Sequence, residues 1–407
     1  MTVELNITKT VYGGDGLGRL GDGRVCFVPG AFAGETVRVE LVEQKKKFVR
    51  ARLVELVKAL PDRAAALPPE RRVPGMVYAD VAYAAELRFK QDQLENFLGK
   101  VAPHVRPLTV VPAPSPLNYR NKVVYHTERR DGRWLLGYRT EPEHRVVDVV
   151  DDPLACAAIN AALPEIRASV FALLTQGSRA ARQSVKAADN VTIRWTPLDG
   201  VKWWLGDAPA HLELHERTDN RTFLVPADGF YQVNPQVGDL LVKAVREEYA
   251  VGRVGAPHLL DLYAGVGVFG LCCLAGLPSD VAAASRLVGV ESGRAAVATA
   301  KKNAVALGVK GNFFCERVGA NLGRIKVGPH HTVIVDPPRG GMESNVPDWL
   351  VRGPAKRILY VSCDPATLTR DLTTLAKAYD IKRAALFDMF PRTARFETLV
   401  VLERRAT

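Results

Sequence analysis

Three residues sit at the ends of apolar runs, two just after a run and one just before, and each is of a type that does chemistry. They are Asp336 in Val333-Ile-Val-Asp336-Pro-Pro-Arg339, Cys363 in Leu359-Tyr-Val-Ser-Cys363-Asp-Pro, and Glu397 in Arg395-Phe-Glu397-Thr. A cysteine at the end of a strand, with a helix following, is a candidate nucleophile, because the helix start helps hold a thiolate. A carboxylate beside it is a candidate proton acceptor. Pro337 and Pro338 forbid a regular helix start after Asp336, so that carboxylate is expected on an irregular loop. The other five cysteines, at positions 26, 156, 272, 273 and 315, are expected to be small buried hydrophobes.

A fourth feature is the run Leu259-Leu-Asp261-Leu-Tyr263-Ala-Gly265-Val-Gly267-Val-Phe-Gly270, which reads as strand, glycine turn and helix start. The glycines let a ligand approach the backbone, and Glu291, 21 residues beyond Gly270, is placed to accept hydrogen bonds from ribose hydroxyls. Two nucleotide ligands fit the pattern, a nicotinamide dinucleotide and S-adenosylmethionine. Asp261 favours the second, since a carboxylate there suits a positively charged methionine end and opposes a phosphate. One cofactor, one thiol and two carboxylates are thus expected to converge.

The elements that must position them alternate from about residue 225. Strands are expected at 258–262, 287–290, 312–315, 332–335, 357–361 and 398–402, with helices between most of them, which is the pattern of a parallel, doubly wound α/β sheet. In such sheets the carboxyl ends of the strands line the ligand crevice. Residues 1–58 read instead as four or five short strands with glycine-rich turns, a small closed barrel of the OB type, and Lys45, Lys46 and Lys47 fall in or beside one of its turns. A Pro- and charge-rich linker follows over 59–75, then a helix near 83–101, a β-meander over 119–150, a helix over 157–174 and strands near 191–195 and 201–205. The chain is accordingly read as three parts, 1–58, 59–225 and 226–407.

Composition narrows the setting. The 407 residues carry 55 Lys and Arg against 44 Asp and Glu, and the net charge of +11 is concentrated at the two ends. Residues 1–60 hold ten basic and seven acidic side chains, and residues 251–407 hold 21 and 13. Such a balance suits a polyanion, because neutralised phosphates release counterions. No uncharged apolar stretch reaches the length of a membrane span, the N-terminus shows no export signal, and the cysteines form no CxxC pair. The expectation is a cytoplasmic protein with reduced thiols, no membrane partner and no metal site, monomeric by default.

On these motifs the chain resembles the S-adenosylmethionine-dependent RNA (uracil-5-)-methyltransferases, nearly end to end. Residues 1–58 look like their TRAM domain, through Gly13-Gly-Asp-Gly-Leu-Gly-Arg19 and Phe27-Val-Pro-Gly30. Tyr119-Arg-Asn-Lys122, Gly137-Tyr-Arg139, Phe230-Tyr-Gln-Val-Asn234, Asp336-Pro-Pro-Arg339, Ser362-Cys-Asp-Pro365 and Phe390-Pro-Arg-Thr393…Glu397-Thr398 match the family's motifs in order. The resemblance implies a class I methyltransferase sheet of Rossmann type behind an OB-like TRAM barrel and a small mixed α/β middle domain. It implies that Cys363 attacks C6 of a uridine, that C5 takes the methyl group, and that Glu397 removes the C5 proton. It assigns cofactor contacts to Gln232, Tyr263, Glu291 and Asp336, with Asp261, Gly265 and Gly267 lining the loop. Arg120 and Lys122, with Lys45, Lys46 and Lys47, are expected to hold RNA phosphates.

The chain also departs from the family. Many relatives carry four cysteines after the barrel that bind an iron–sulfur cluster, and here that stretch has none, so no cluster is expected. The TRAM barrel favours 23S rRNA as the substrate over the tRNA T-loop. Two readings from other classes remain, a nicotinamide dehydrogenase built on the glycine loop and a non-catalytic RNA-binding module on a methyltransferase scaffold.

Overall fold

The computed structural model describes residues 2–406 apart from 66, 107, 141, 142, 177–189, 253–257 and 321. They form two compact units, one of Met1–Asn96 with Phe390–Phe396, the other of Phe97–Met389 with Glu397–Thr407.

In the first unit β1 (Thr2–Thr10), β2 (Gly16–Arg19), β3 (Val25–Val28), β4 (Thr36–Gln44) and β5 (Phe48–Lys58) close a barrel in the order β1-β2-β3-β5-β4. Alternation does the sorting: Leu5, Ile7, Cys26, Val28, Val37, Val39, Val49 and Ala51 point inward and form the core. Strand β2 escapes a sequence reading because its glycines resemble a turn. They are there for space, since a Cβ on Gly16 would lie 2.5 Å from the Ala31 carbonyl oxygen and one on Gly18 2.6 Å from that of Asn6. A second cluster stacks Phe32 on Phe89, with ring centroids 5.6 Å apart, beside Tyr78, Val81 and Ala85. Phe89 belongs to helix α1 (Tyr83–Leu98).

Below this cluster Glu35 is fully buried and fully used. Its carboxylate accepts from Phe32 N, Leu60 N and the Arg63 guanidinium, the last at 2.6 and 2.9 Å. Glu35→Ala leaves that guanidinium without its carboxylate, though still bonded to the Gly30 carbonyl, and two N–H groups without an acceptor. The expected loss is about 3–5 kcal/mol of stability, read as a lowered urea midpoint; a loss below about 1 kcal/mol would show the pair to be dispensable.

The second unit begins with β6 (Thr109–Val111), then β7 (Lys122–Arg130), β8 (Arg133–Arg139) and β9 (Val146–Asp148). With β10 (Asn190–Thr196) and β11 (Gly200–Leu205), the last three make a five-stranded sheet, β11-β10-β7-β8-β9. Helix α2 (Ala157–Gln176) is long and apolar enough to cross a membrane by length and composition. Its Ile159, Leu163, Ile166, Val170 and Leu174 are nevertheless buried, and Arg167 bonds Asp148 and the Leu136 and Val149 carbonyls, as suits a helix laid on a sheet. The hairpin β12 (Glu213–Thr218) and β13 (Arg221–Pro226), not foreseen from sequence, is tied to β10 by the buried Arg194–Glu216 pair at 2.8 Å.

Then come α3 (Pro235–Gly252), β14 (His258–Leu262), α4 (Val268–Leu274), α5 (Ser279–Ala284), β15 (Arg286–Glu291), α6 (Arg294–Ala306) and β16 (Gly311–Cys315). The chain continues through β17 (His331–Val335), α7 (Val346–Arg352), β18 (Arg357–Ser362), α8 (Pro365–Leu375), β19 (Tyr379–Phe387) and β20 (Glu397–Arg404). The large sheet runs β16-β15-β14-β17-β18-β20-β19-β6. All six expected strands are present, and the first five are parallel as expected. β20 departs from the expectation: it enters antiparallel to both β18 and β19, because β19 and β20 are consecutive neighbours joined by a reversing segment.

Candidate active site

The glycine turn follows β14, and each glycine has a separate reason to be one. Gly265 and Gly267 have φ of 54° and 87°, and a Cβ on Gly267 would press on Leu271 and Phe313. A Cβ on Gly270 would lie 2.8 Å from Asp261 Oδ2, the atom that accepts the Gly270 N–H at 3.0 Å. Glu291, at the end of β15, accepts the Gly265 N–H at 3.1 Å and the Gly293 N–H at 2.6 Å, so it fixes the turn that it was expected to serve.

Cys363 follows the last residue of β18. The β18–β20 ladder ends on the pair Ser362 and Thr398, leaving Cys363 and Glu397 as the next residues on the two strands. Asp364 caps α8, its side chain accepting from Ala366 N and Thr367 N at 3.0 Å, so the thiol sits just before a capped helix start. The expected thiolate is not the resting state. Burial, then the nearby Glu397 and Asp336 carboxyls, push the Cys363 thiol up to about 12, with Arg339 pulling the other way. Glu397, 3% exposed, is itself driven well above the carboxylate range by burial and by Asp336, again opposed by Arg339. The three groups therefore share one electrostatic neighbourhood. Arg339, one residue of a motif quoted for the resemblance, is the cation the sequence reading left without a role.

Burial first, then neighbouring carboxyls, raise Asp336 to about 8 and Asp261 to about 7, although one Gly270 N–H lowers the latter. Asp261 Oδ1, Gln232 Oε1 and Glu397 Oε2 are buried acceptors with no hydrogen-bond partner among the described residues. Asp336 is coupled electrostatically to Asp261, Glu291 and Glu397, and such a group of carboxyls suits a ligand that brings donors and positive charge, such as the sulfonium and ammonium of S-adenosylmethionine, better than the pyrophosphate of a dinucleotide. Tyr263, half-buried, has φ of 63° and donates its hydroxyl to Glu343. In the motif holding Gln232, Asn234 receives the Val237 N–H at the start of α3 and donates to the Met389 carbonyl, while Phe230 is 72% exposed.

The basic residues divide. Lys45, Lys46 and Lys47 are exposed at the β4–β5 hairpin tip, Lys45 lying 3.0 Å from Glu43. Arg120 and Lys122 are half-buried instead. Arg120 lies over the Tyr119 ring, and burial with Arg194 nearby pushes the Lys122 ammonium down. Lys122 opens β7, the central strand of the small sheet, and Arg120 precedes it in a bridge to Ala155. Cys26, Cys272 and Cys273 are buried as expected, Cys156 is half-buried, and Cys315 is exposed, since it ends the edge strand β16.

Comparisons with known proteins identify the family. The sequence profile described as tRNA (Uracil-5-)-methyltransferase matches residues 211–405, and that of the TRAM domain matches residues 1–54. An RNA methyltransferase of Streptomyces avermitilis is 30% identical over 443 residues, covering 99% of this chain and 98% of its own. The 23S rRNA (uracil(1939)-C(5))-methyltransferase RlmD of Tolumonas auensis is 28% identical, covering 99% and 96%. The fold is shared with the tRNA (uracil-54, C5)-methyltransferase of Pyrococcus abyssi, solved with S-adenosyl-L-homocysteine, at a TM-score of 0.72 and 24% identity over 98% of this chain and 100% of that one. The chain thus belongs to the RNA (uracil-5-)-methyltransferases, as a member with an N-terminal TRAM domain.

Proposed function

We propose that this enzyme methylates C5 of a uridine in 23S rRNA, through a covalent bond between Cys363 and C6 that Glu397 resolves as general base. The observation that carries the mechanism is the placement of Cys363 and Glu397 as the next residues beyond one ladder rung, with the second Glu397 oxygen unpartnered. S-adenosylmethionine supplies the methyl group, activated on its sulfonium. C5 of uracil is a weak nucleophile, so Cys363, half-buried and reached by water, passes its proton to solvent and adds as the thiolate to C6, leaving an enolate with electron density at C5. After methylation Glu397 in its ionised form, which the nearby Arg339 favours against burial, accepts the C5 proton, the C6–sulfur bond breaks, and the pyrimidine is restored with the thiolate released. The uridine must leave its stack to reach Cys363. The rRNA assignment rests on the end-to-end similarity to a 23S rRNA enzyme; tRNA is the alternative.

The test uses 5-fluorouridine-substituted 23S rRNA and tRNA, incubated with protein and S-adenosylmethionine and run on a denaturing gel. Fluorine cannot leave C5 as a cation, so the Cys363 adduct persists and migrates slowly. An adduct with rRNA alone supports the proposal, one with tRNA alone moves the substrate, and none with either removes the covalent mechanism on these RNAs.

The raised carboxyls give a pH signature. Asp261 and Asp336, at about 7 and about 8, are largely protonated at pH 6 and ionised by pH 9. Ionisation adds negative charge facing the donor, so affinity rises with pH. S-adenosylmethionine should gain roughly tenfold in affinity between pH 6 and 8.5, and S-adenosylhomocysteine, which lacks the sulfonium charge, clearly less. Equal pH dependence of the two in calorimetry would show that these carboxyls do not sense the cofactor's charge.

A further inference from the structure

Tyr263 is one of eight non-glycine residues with positive φ among the described residues, and it immediately follows β14. A bulky aromatic in the left-handed region persists only when its surroundings hold it there. Its backbone is flanked by the Asp336 N–H on the Leu262 carbonyl at 3.3 Å and the Ala264 N–H on the Val290 carbonyl at 3.0 Å, and its side chain is anchored by a carboxylate. The Tyr263 hydroxyl donates to Glu343 Oε2, and the Glu343 N–H points back to the same hydroxyl at 3.4 Å.

Glu343 lies on the loop after β17, seven residues past Asp336, and that loop is itself pinned. Met342 N donates to Asp371 on α8 at 2.9 Å, and Arg370 bridges Asp371 and the Met342 carbonyl. Gly341, at φ 76°, leaves room for this, since a Cβ there would lie 2.3 Å from Arg370 and 2.9 Å from Asp371. Two residues on, Asn345 donates to the Gly319 carbonyl at 2.8 Å, in the segment after β16, and Gly319 N lies 3.5 Å from Glu343 Oε1. One carboxylate thereby connects segments that follow β14, β16 and β17, three strand ends that border the crevice of a doubly wound sheet.

We propose that Glu343 is a positioning residue for the cofactor, anchoring the Tyr263 side chain through its hydroxyl so that the wall of the crevice is formed before S-adenosylmethionine arrives. This rests on the assignment of Tyr263 to the cofactor site. Preorganisation of this kind acts on affinity, because the cost of ordering the wall is met in folding and not in binding.

The test is a calorimetric cycle on the full chain, titrated with S-adenosylmethionine and with S-adenosylhomocysteine, and with thermal melting as a check of folding. Glu343→Ala and Tyr263→Phe should each weaken both ligands about tenfold, and the double variant should lose no more than either alone. Glu343→Gln, whose amide oxygen still accepts from the hydroxyl, should restore binding to within about twofold. A merely structural carboxylate would give neither the shared loss nor the rescue. The inference is overturned if Tyr263→Phe weakens binding and Glu343→Ala does not, if the losses add, or if Gln behaves like Ala. Should Tyr263→Ala itself leave both affinities unchanged, the assignment of Tyr263 to the cofactor site fails.

Discussion

Cys363→Ala protein folds, binds S-adenosylmethionine as tightly as the wild type and transfers no methyl group, with turnover down at least about 10⁴-fold. The size of the loss follows from the chemistry. Without sulfur at C6 no electron density builds at C5, and the remaining groups are carboxyls that cannot replace a carbon-bonding nucleophile. The stability of the variant follows from the local structure. Cys363 is only half-buried, and the turn around it is held by others: Ser362 Oγ donates to the Asp364 carbonyl at 3.1 Å, and Asp364 caps α8. Truncation removes one sulfur atom from a site that water reaches. Cys363→Ser fails as well, since the surroundings that push a thiol to about 12 act on a hydroxyl that starts far higher. Methyl incorporation from labelled cofactor, with melting temperature as control, decides the matter. Residual turnover within about a hundredfold of wild type would exclude Cys363 as the nucleophile.

Sequence alone reached the strands that carry the site because their signal is local. His258–Leu262, His331–Val335 and Arg357–Ser362 are short apolar runs bounded by Gly, Pro or Asp, and burial on both faces leaves them no other reading. The glycine loop was legible for the same reason, although the purpose of each glycine was not: Gly270 exists to admit the Asp261 carboxylate, a contact between residues nine apart. What escaped depends on distant partners. β19 carries Asp380, Lys382 and Arg383 in an edge-like pattern, yet it lies between β20 and β6. A helix start after Cys363 is visible in sequence, whereas the burial that raises its thiol, and the Glu397 and Asp336 carboxyls that add to it, come from other segments. Arg120 and Lys122 looked like a basic segment, and only the folded sheet shows them half-buried beside Tyr119 and Arg194. Glu343 carried no signal at all, since its partner Tyr263 is 80 residues away.

Glu397→Gln separates the two halves of the reaction, which no variant of Cys363 can do. The substitution is nearly isosteric, and burial already drives Glu397 toward its neutral form, so a neutral amide is tolerated where a new charge would not be. Attack by Cys363 and methylation at C5 remain available. Removal of the C5 proton does not, because an amide is not a base at any pH in which the protein is folded. RNA should therefore accumulate bonded to Cys363, methylated and stable to denaturant, approaching one equivalent per protein, while turnover falls by about 10²–10⁴-fold, the range a general base supplies. Wild-type protein, which completes the elimination, shows no such band on natural RNA. The double variant with Cys363→Ala shows none either, which ties the bond to that sulfur. A variant that turns over normally would remove Glu397 from the mechanism. One that neither turns over nor forms the adduct would move its role earlier, to the proton that Cys363 must lose before it attacks. That second outcome is physically coherent, since the Glu397 carboxyl helps hold the Cys363 thiol in its protonated form, and it is why the adduct and not the rate is the quantity to measure.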